Sequence, residues 1–163
     1  MPNALTLLKE DHKHVKGLLE DLESSTDRAT KRRLELVRQI EQELLVHAQI
    51  EEQIFYPAYH EAVSKKDDQK LYYEALEEHS VAKSVLAELK NTDPSTPEFA
   101  ARAKVLKDLV LHHAEEEEKE MFPAARAHMK KDQLDALGQA LETKKQRLLG
   151  KRSNGRAERL AHS

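Results

Sequence analysis

The stretch HAQIEEQIFYP, residues 47–57, decides the fold, because it returns 66 residues later as HHAEEEEKEMFP, residues 112–123. Each copy places a glutamate four residues after a histidine and a proline ten residues after it: His47, Glu51 and Pro57, then His113, Glu117 and Pro123. Residues four apart lie one above the other on the same face of a helix, so each copy offers an imidazole and a carboxylate to one point in space. That is a metal-ligand geometry.

A single H-x-x-x-E in a glutamate-rich chain reads as a solvated ion pair. The helical phase argues otherwise. Ile40 and Leu44 precede His47, and Ile54 and Ala58 follow Glu51 at three-four spacing; Leu106, Val110, Met121 and Ala124 frame His113 and Glu117 in the same way. Both pairs therefore fall on the stripe expected to face the core. Buried imidazoles and carboxylates are costly unless paired or coordinated, and two such pairs at matching places point to a function in the interior. A second register, His112 with Glu116, competes in the later copy. It leads to Glu120 rather than Met121, so His112 is assigned to the surface or to a place behind the ligands rather than among them.

Outward from the motifs, the repeat embraces whole helices. LLKEDHKHVKGLLEDL (7–22) aligns with EALEEHSVAKSVLAEL (74–89), setting His12 on His79 and Lys16 on Lys83. The chain is one helical hairpin written twice. Helices are expected over residues 4–22, from about 27–30 to 63 with a kink at Pro57, over 69–90, over 97–129 with a kink at Pro123, and over 130–149; SSTD (24–27), SKKDD (64–68) and NTDPSTP (91–97) mark the breaks. Hairpins of this length pack antiparallel, giving an all-α, up-down-up-down four-helix bundle over residues 1–130, a C-terminal helix over 131–150 and a disordered basic tail over 151–163. Each bundle helix brings a polar residue to its buried face: His12, then His47 and Glu51, then His79, then His113 and Glu117.

Composition agrees. With 163 residues, 35% charged, 4% aromatic and four glycines, a single helical domain is expected. The absence of cysteine excludes disulfides and thiolate metal sites. No apolar run is long enough to span a membrane and MPNALTLLKEDHKH has no secretory character, so a cytoplasmic location is expected. Residues 141–163 carry seven Lys or Arg against two Glu, a net of +5 that leaves −8 on residues 1–140 of a chain whose total is −3. That tail reads as a solubilising end, with phosphate binding as the alternative. Without interleaved aromatics it has no base-stacking platform, so nucleic acid is not an expected partner.

At the residues KEDH (9–12), HAQIEEQIFYP (47–57), EEH (77–79) and HHAEEEEKEMFP (112–123), the chain resembles the hemerythrin family, and within it the bacterial HHE cation-binding domains. The resemblance covers roughly residues 3–129 and implies a non-haem di-iron centre, oxo- or hydroxo-bridged, held by His12, His47, Glu51, His79, His113 and Glu117. The oxygen-carrying members differ: they place a second histidine where this chain has Lys83, and an aspartate where it has Glu118. One protein ligand fewer argues against reversible oxygen carriage; Lys83 is expected to be solvated, since lysine rarely stays buried unpaired, but if it points inward it would aid reaction with peroxide. Four imidazoles and two carboxylates suit iron, with manganese or zinc as alternatives. The expected ligand is a diatomic or peroxide and the expected role sensing, scavenging or weak peroxidase or catalase activity, so whether the protein is an enzyme is left open. Metal sensing or buffering without redox turnover is the alternative, and a helical interaction module a third. His14, His60, His128 and His162 are expected to be ordinary polar histidines; Tyr56, Tyr59, Tyr72 and Tyr73 are expected to be core or boundary residues, of which one could donate a hydrogen bond to metal-bound oxygen.

Overall fold

A computed structural model describes residues 2–161, with side chains to Lys151. Helix α1 (Ala4–Ser24) opens on Asn3, whose side chain accepts the Thr6 N–H at 2.9 Å and so satisfies an otherwise free end. Next come α2 (Thr30–Ile50), a π-helical turn (Glu51–Phe55) and α3 (Tyr56–Ala62); α4 (Lys66–Lys90) returns. Then α5 (Pro97–Glu116), a second π turn (Glu117–Met121) and α6 (Phe122–His128) complete the repeat, and α7 (Lys131–Ala161) comes last. Thr96 caps α5, with Pro97 in the first turn where its missing N–H costs nothing.

Around the bundle, α1 packs on α2 and α5, and α4 on the same two, closing the expected antiparallel ring. Among the described residues there is no strand, and no helix is long and apolar enough to cross a membrane. Buried Arg33 ties one end together, donating to the Ser25 carbonyl at 2.9 Å and to the Pro94 carbonyl at 2.5 Å. Helix α7 lies along α1 and α2, burying Leu134 and Leu141. Gly138 lets it approach: a Cβ there would stand 2.5 Å from the Pro2 carbonyl oxygen.

Two expectations change. The long second and fourth helices do not simply kink at proline. Pro57 has no N–H, so the strain is taken up one turn earlier, where the Tyr56 N–H reaches back five residues to the Glu51 carbonyl; Phe122 does the same to Glu117. The extra residue rotates the downstream side chains by about 100° around the helix axis. Phe55, Tyr56 and Tyr59, fully buried, therefore take the core face expected for Ile54 and Ala58, and Ala125 replaces Ala124. The second change concerns the C-terminus. Helix α7 continues to Ala161, past the expected end at residue 150 and through the stretch expected to be disordered, since Lys, Arg, Ala, Glu and Leu favour helix more than Gly150 and Gly155 oppose it. His162 lies outside the described residues.

Buried apolar residues form two clusters. One joins Leu8, Ile50, Phe55, Tyr56, Tyr59, Phe122 and Leu141; the other joins Val15, Leu19, Leu36, Ile40, Leu86, Phe99 and Leu106. Between them lies a polar layer.

Candidate metal centre

That layer contains all six candidate residues, three from each half of the repeat. His12 comes from α1, His47 from the last turn of α2, Glu51 from the first π turn, His79 from α4, His113 from α5 and Glu117 from the second π turn. Glu51 is 0% exposed and Glu117 3%, while His47 and His79 are each 7%. The competing register separates cleanly: the His112 side chain is 70% exposed beside Glu116, whereas that of His113 is 12% exposed and faces the centre. His14 is exposed, and His60 packs against Tyr72.

The donor atoms fall into two groups that share both glutamates. One comprises His12, His47, Glu51 and Glu117; the other comprises His79, His113, Glu51 and Glu117. Glu51 Oε1 stands 2.9 Å from His47 Nε2 and 3.2 Å from His79 Nε2. Glu117 turns Oε1 to His12 Nε2 at 3.2 Å and Oε2 to His113 Nε2 at 3.1 Å. Metal bonds of about 2.0–2.2 Å meeting near right angles leave neighbouring ligand atoms about 3 Å apart. Spacings of 2.9–3.2 Å fit a coordination shell, as they also fit hydrogen-bonded ion pairs.

The sequence reading did not see what holds the imidazoles. Each directs Nδ1 to a carboxylate at 2.9 Å: His47 to Asp11, His79 to Glu52, His113 to Glu78 and His12 to Glu118. The four contacts run around the bundle in one sense, each carboxylate serving the histidine of the next helix. A carboxylate only accepts, so in the neutral imidazole Nδ1 carries the proton and the Nε2 lone pair points inward, the tautomer that binds metal. Asp11 and Glu78, like Glu52 and Glu118, are repeat counterparts, and each adjoins a candidate ligand in sequence. That adjacency was the available signal.

Lone pairs facing carboxylate oxygens repel unless a cation or protons lie between them. His12 Nε2, His47 Nε2, both oxygens of Glu51 and Glu117 Oε1 are buried without a hydrogen-bond partner. Without metal the site must take up protons. Burial opposes a charge on His47, but Glu51 and Asp11 outweigh it and push the imidazole up to about 10; His12, His79 and His113 rise for the same reason. Metal would displace those protons. Charge agrees: six carboxylates in direct contact (Asp11, Glu51, Glu52, Glu78, Glu117, Glu118) face the ammoniums of Lys83 and Lys145, a net of −4 that two divalent cations would neutralise.

Lys83 does not point inward; it takes the solvated place expected of a lysine. Its side chain is 44% exposed and its ammonium lies 2.9 Å from Glu52, the carboxylate that holds His79. The His79 hydrogen bond, opposed by burial and helped by Lys83, holds Glu52 down at about 2. Lys145 of α7 plays the equivalent part for the other half, 2.5 Å from Asp11. Glu118 supports His12 from outside the layer.

Tyr56 is the tyrosine that reaches the centre with its hydroxyl. Its buried hydroxyl donates to Glu117 Oε2 at 2.5 Å and lies 3.1 Å from His79 Nε2 and 3.2 Å from His113 Nε2. It thus joins the second donor group. Its repeat counterpart, Phe122, brings only a ring, stacked on His12 with centroids 6.1 Å apart. The π turn that rotates both residues inward was invisible in the helical pattern.

A model of the hemerythrin HHE cation-binding domain matches residues 3–125. The chain belongs to this family. Among solved structures it is similar to a hemerythrin HHE cation-binding domain-containing protein from Mycobacterium kansasii, with 29% identity, a TM-score of 0.81, and coverage of 93% of this chain and 90% of that one. It is also 31% identical over 156 residues to a DNA nickase of Nostoc sp., covering 94% of this chain but 43% of the nickase, so the HHE chain spans less than half that relative's length. A cation-binding role follows from the family, and the His and Glu groups are where the fold offers it.

Proposed function

We propose that this HHE domain holds two iron ions and uses them to bind or reduce small oxidants. His12, His47, Glu51 and Glu117 would hold one ion; His79, His113, Glu51 and Glu117, with the Tyr56 hydroxyl beside them, would hold the other. Bound iron would supply redox equivalents and an open coordination position. The unpartnered nitrogens and oxygens, the ligand-like spacings and the charge of the layer support the fit; manganese or zinc would meet the same donors.

The observation that carries the reading is a cavity of about 50 Å³ against the imidazoles of His12, His47, His79 and His113, lined by Val15, Leu44, Ala82, Leu86 and Val110. A water needs roughly 10–15 Å³ on this measure, so the space admits dioxygen, nitric oxide or a peroxide and excludes nucleotides and peptides. Its walls are largely apolar, and a low local dielectric strengthens electrostatic interactions with whatever enters. Tyr56 can hold a proton on its oxygen next to the second donor group, whereas Phe122 cannot at the first. The nickase activity in the name of the Nostoc relative is not carried over.

The test loads the protein with ferrous iron without oxygen, counts metal, and then adds hydrogen peroxide, nitric oxide or air while following the visible spectrum. Two iron per chain and consumption of at least one oxidant are expected, with zinc-loaded protein inert. Iron-loaded protein that leaves all three untouched would point instead to metal sensing or buffering without turnover.

A further inference from the structure

The repeat writes the candidate ligands twice, but it writes a line of tyrosines only once. From the Tyr56 hydroxyl at the centre, the Tyr56 ring meets Tyr72 with centroids 6.4 Å apart and planes at 82°, and Tyr72 meets Tyr73 at 5.0 Å. His60 stacks on Tyr72 at 4.3 Å and fixes its ring. Tyr56 is 0% exposed, Tyr72 partly buried and Tyr73 57% exposed. In the other half the counterparts are Phe122, Leu5 and Thr6, none of them readily oxidised. Leu5 shows that packing alone asks for no phenol at that place, and a Tyr73 exposed by more than half buries little.

We propose that Tyr56, Tyr72 and Tyr73 form a path for single electrons between the metal centre and the surface, through which a one-electron donor in solution reduces the centre after peroxide has oxidised it. This rests on the proposed function. Tyr56 passes an electron to the centre and its phenolic proton to Glu117 Oε2, the atom its O–H already donates to at 2.5 Å. Tyr72 then passes an electron to Tyr56, which takes its proton back. Tyr73 does the same for Tyr72, and a small phenol or ascorbate-like donor restores Tyr73. Tyr72 and Tyr73 are reached by solvent and exchange their protons with water. Two passages deliver two electrons, and with two protons they reduce one peroxide to two waters. With no donor present, the same path carries oxidising equivalents out to Tyr73, away from the ligands.

The experiment mixes iron-loaded protein with hydrogen peroxide and a nitroso spin trap, and locates the adduct by peptide mass spectrometry. Wild type should carry it on Tyr73, with a phenoxyl signal by freeze-quench electron paramagnetic resonance, and zinc-loaded protein should carry none. Tyr72→Phe keeps the ring and removes the oxidisable oxygen. It should keep its iron and its unfolding midpoint, lose the Tyr73 adduct, show oxidation of Tyr56 instead, and lose the acceleration of peroxide consumption by hydroquinone. A Tyr73 adduct unchanged in Tyr72→Phe would mean direct oxidation from solvent and overturn the path, as would peroxide consumption with no phenoxyl anywhere. Failure to bind iron or to consume peroxide is read in the same samples and would remove the proposed function and the path together.

Discussion

Asp11→Asn tests the carboxylate ring at its most buried member. Asp11, 4% exposed, accepts from His47 Nδ1 through Oδ2 at 2.9 Å and from Lys145 through Oδ1 at 2.5 Å. Asparagine has nearly the same shape but a single acceptor. Whichever way the amide turns, its NH₂ meets one of two donors, and His47 loses either its orienting bond or the charge that makes it a strong ligand. Loss of such an outer partner lowers metal affinity about 10–100-fold, or about 1.4–2.8 kcal/mol. The loss should fall on the His12–His47 ion, so at intermediate free iron the variant should hold one ion where wild type holds two. Glu78→Gln, the repeat counterpart acting on His113, should weaken the other ion by less, because the Glu78 side chain is 25% exposed and water can replace the bond. Anaerobic titration of ferrous iron against a competing chelator measures both. An Asp11→Asn protein that binds two ions within about twofold of wild type affinity, against an expectation of at least tenfold, would refute the idea that the ring sets the ligands.

The same geometry sets further outcomes. His113→Ala should lose metal while His112→Ala keeps wild-type stoichiometry by elemental analysis, since only His113 faces the layer. Metal-free protein should unfold at its highest temperature between about pH 4.5 and 6.5. His47, raised from 6.5 to about 10, contributes stability below 6.5 that is lost as pH rises through 10; Glu52, lowered from 4.5 to about 2, contributes stability above 4.5 that is lost as pH falls through 2. A metal-free midpoint that climbs steadily from pH 6.5 to 10 would contradict this, whereas iron affinity should rise over that interval as the imidazoles give up their protons. Gly138→Ala should cost about 1–3 kcal/mol in urea unfolding, because the added methyl would stand 2.5–2.9 Å from the backbone of Pro2, Asn3 and Ala4.

What the sequence carried by itself was everything that depends on short range and on repetition. Three-four spacing places His47 over Glu51 and His113 over Glu117 whatever surrounds them, and the offset of 66–67 residues extends the pattern to His12 and His79, so the bundle and its six inward residues could be read directly. The tertiary structure decided which side chains meet across helices. Asp11 serves His47 at 36 residues' distance and Glu118 serves His12 at 106, because helix rotation and neighbour order bring them together, and periodicity within one helix encodes neither. The π turns belong to the same class. Proline announces a missing hydrogen bond, but only packing chooses between a bend and an inserted residue. Here the inserted residue turns Tyr56 inward while the second copy brings Phe122, and so makes a site written twice chemically unequal in its two halves.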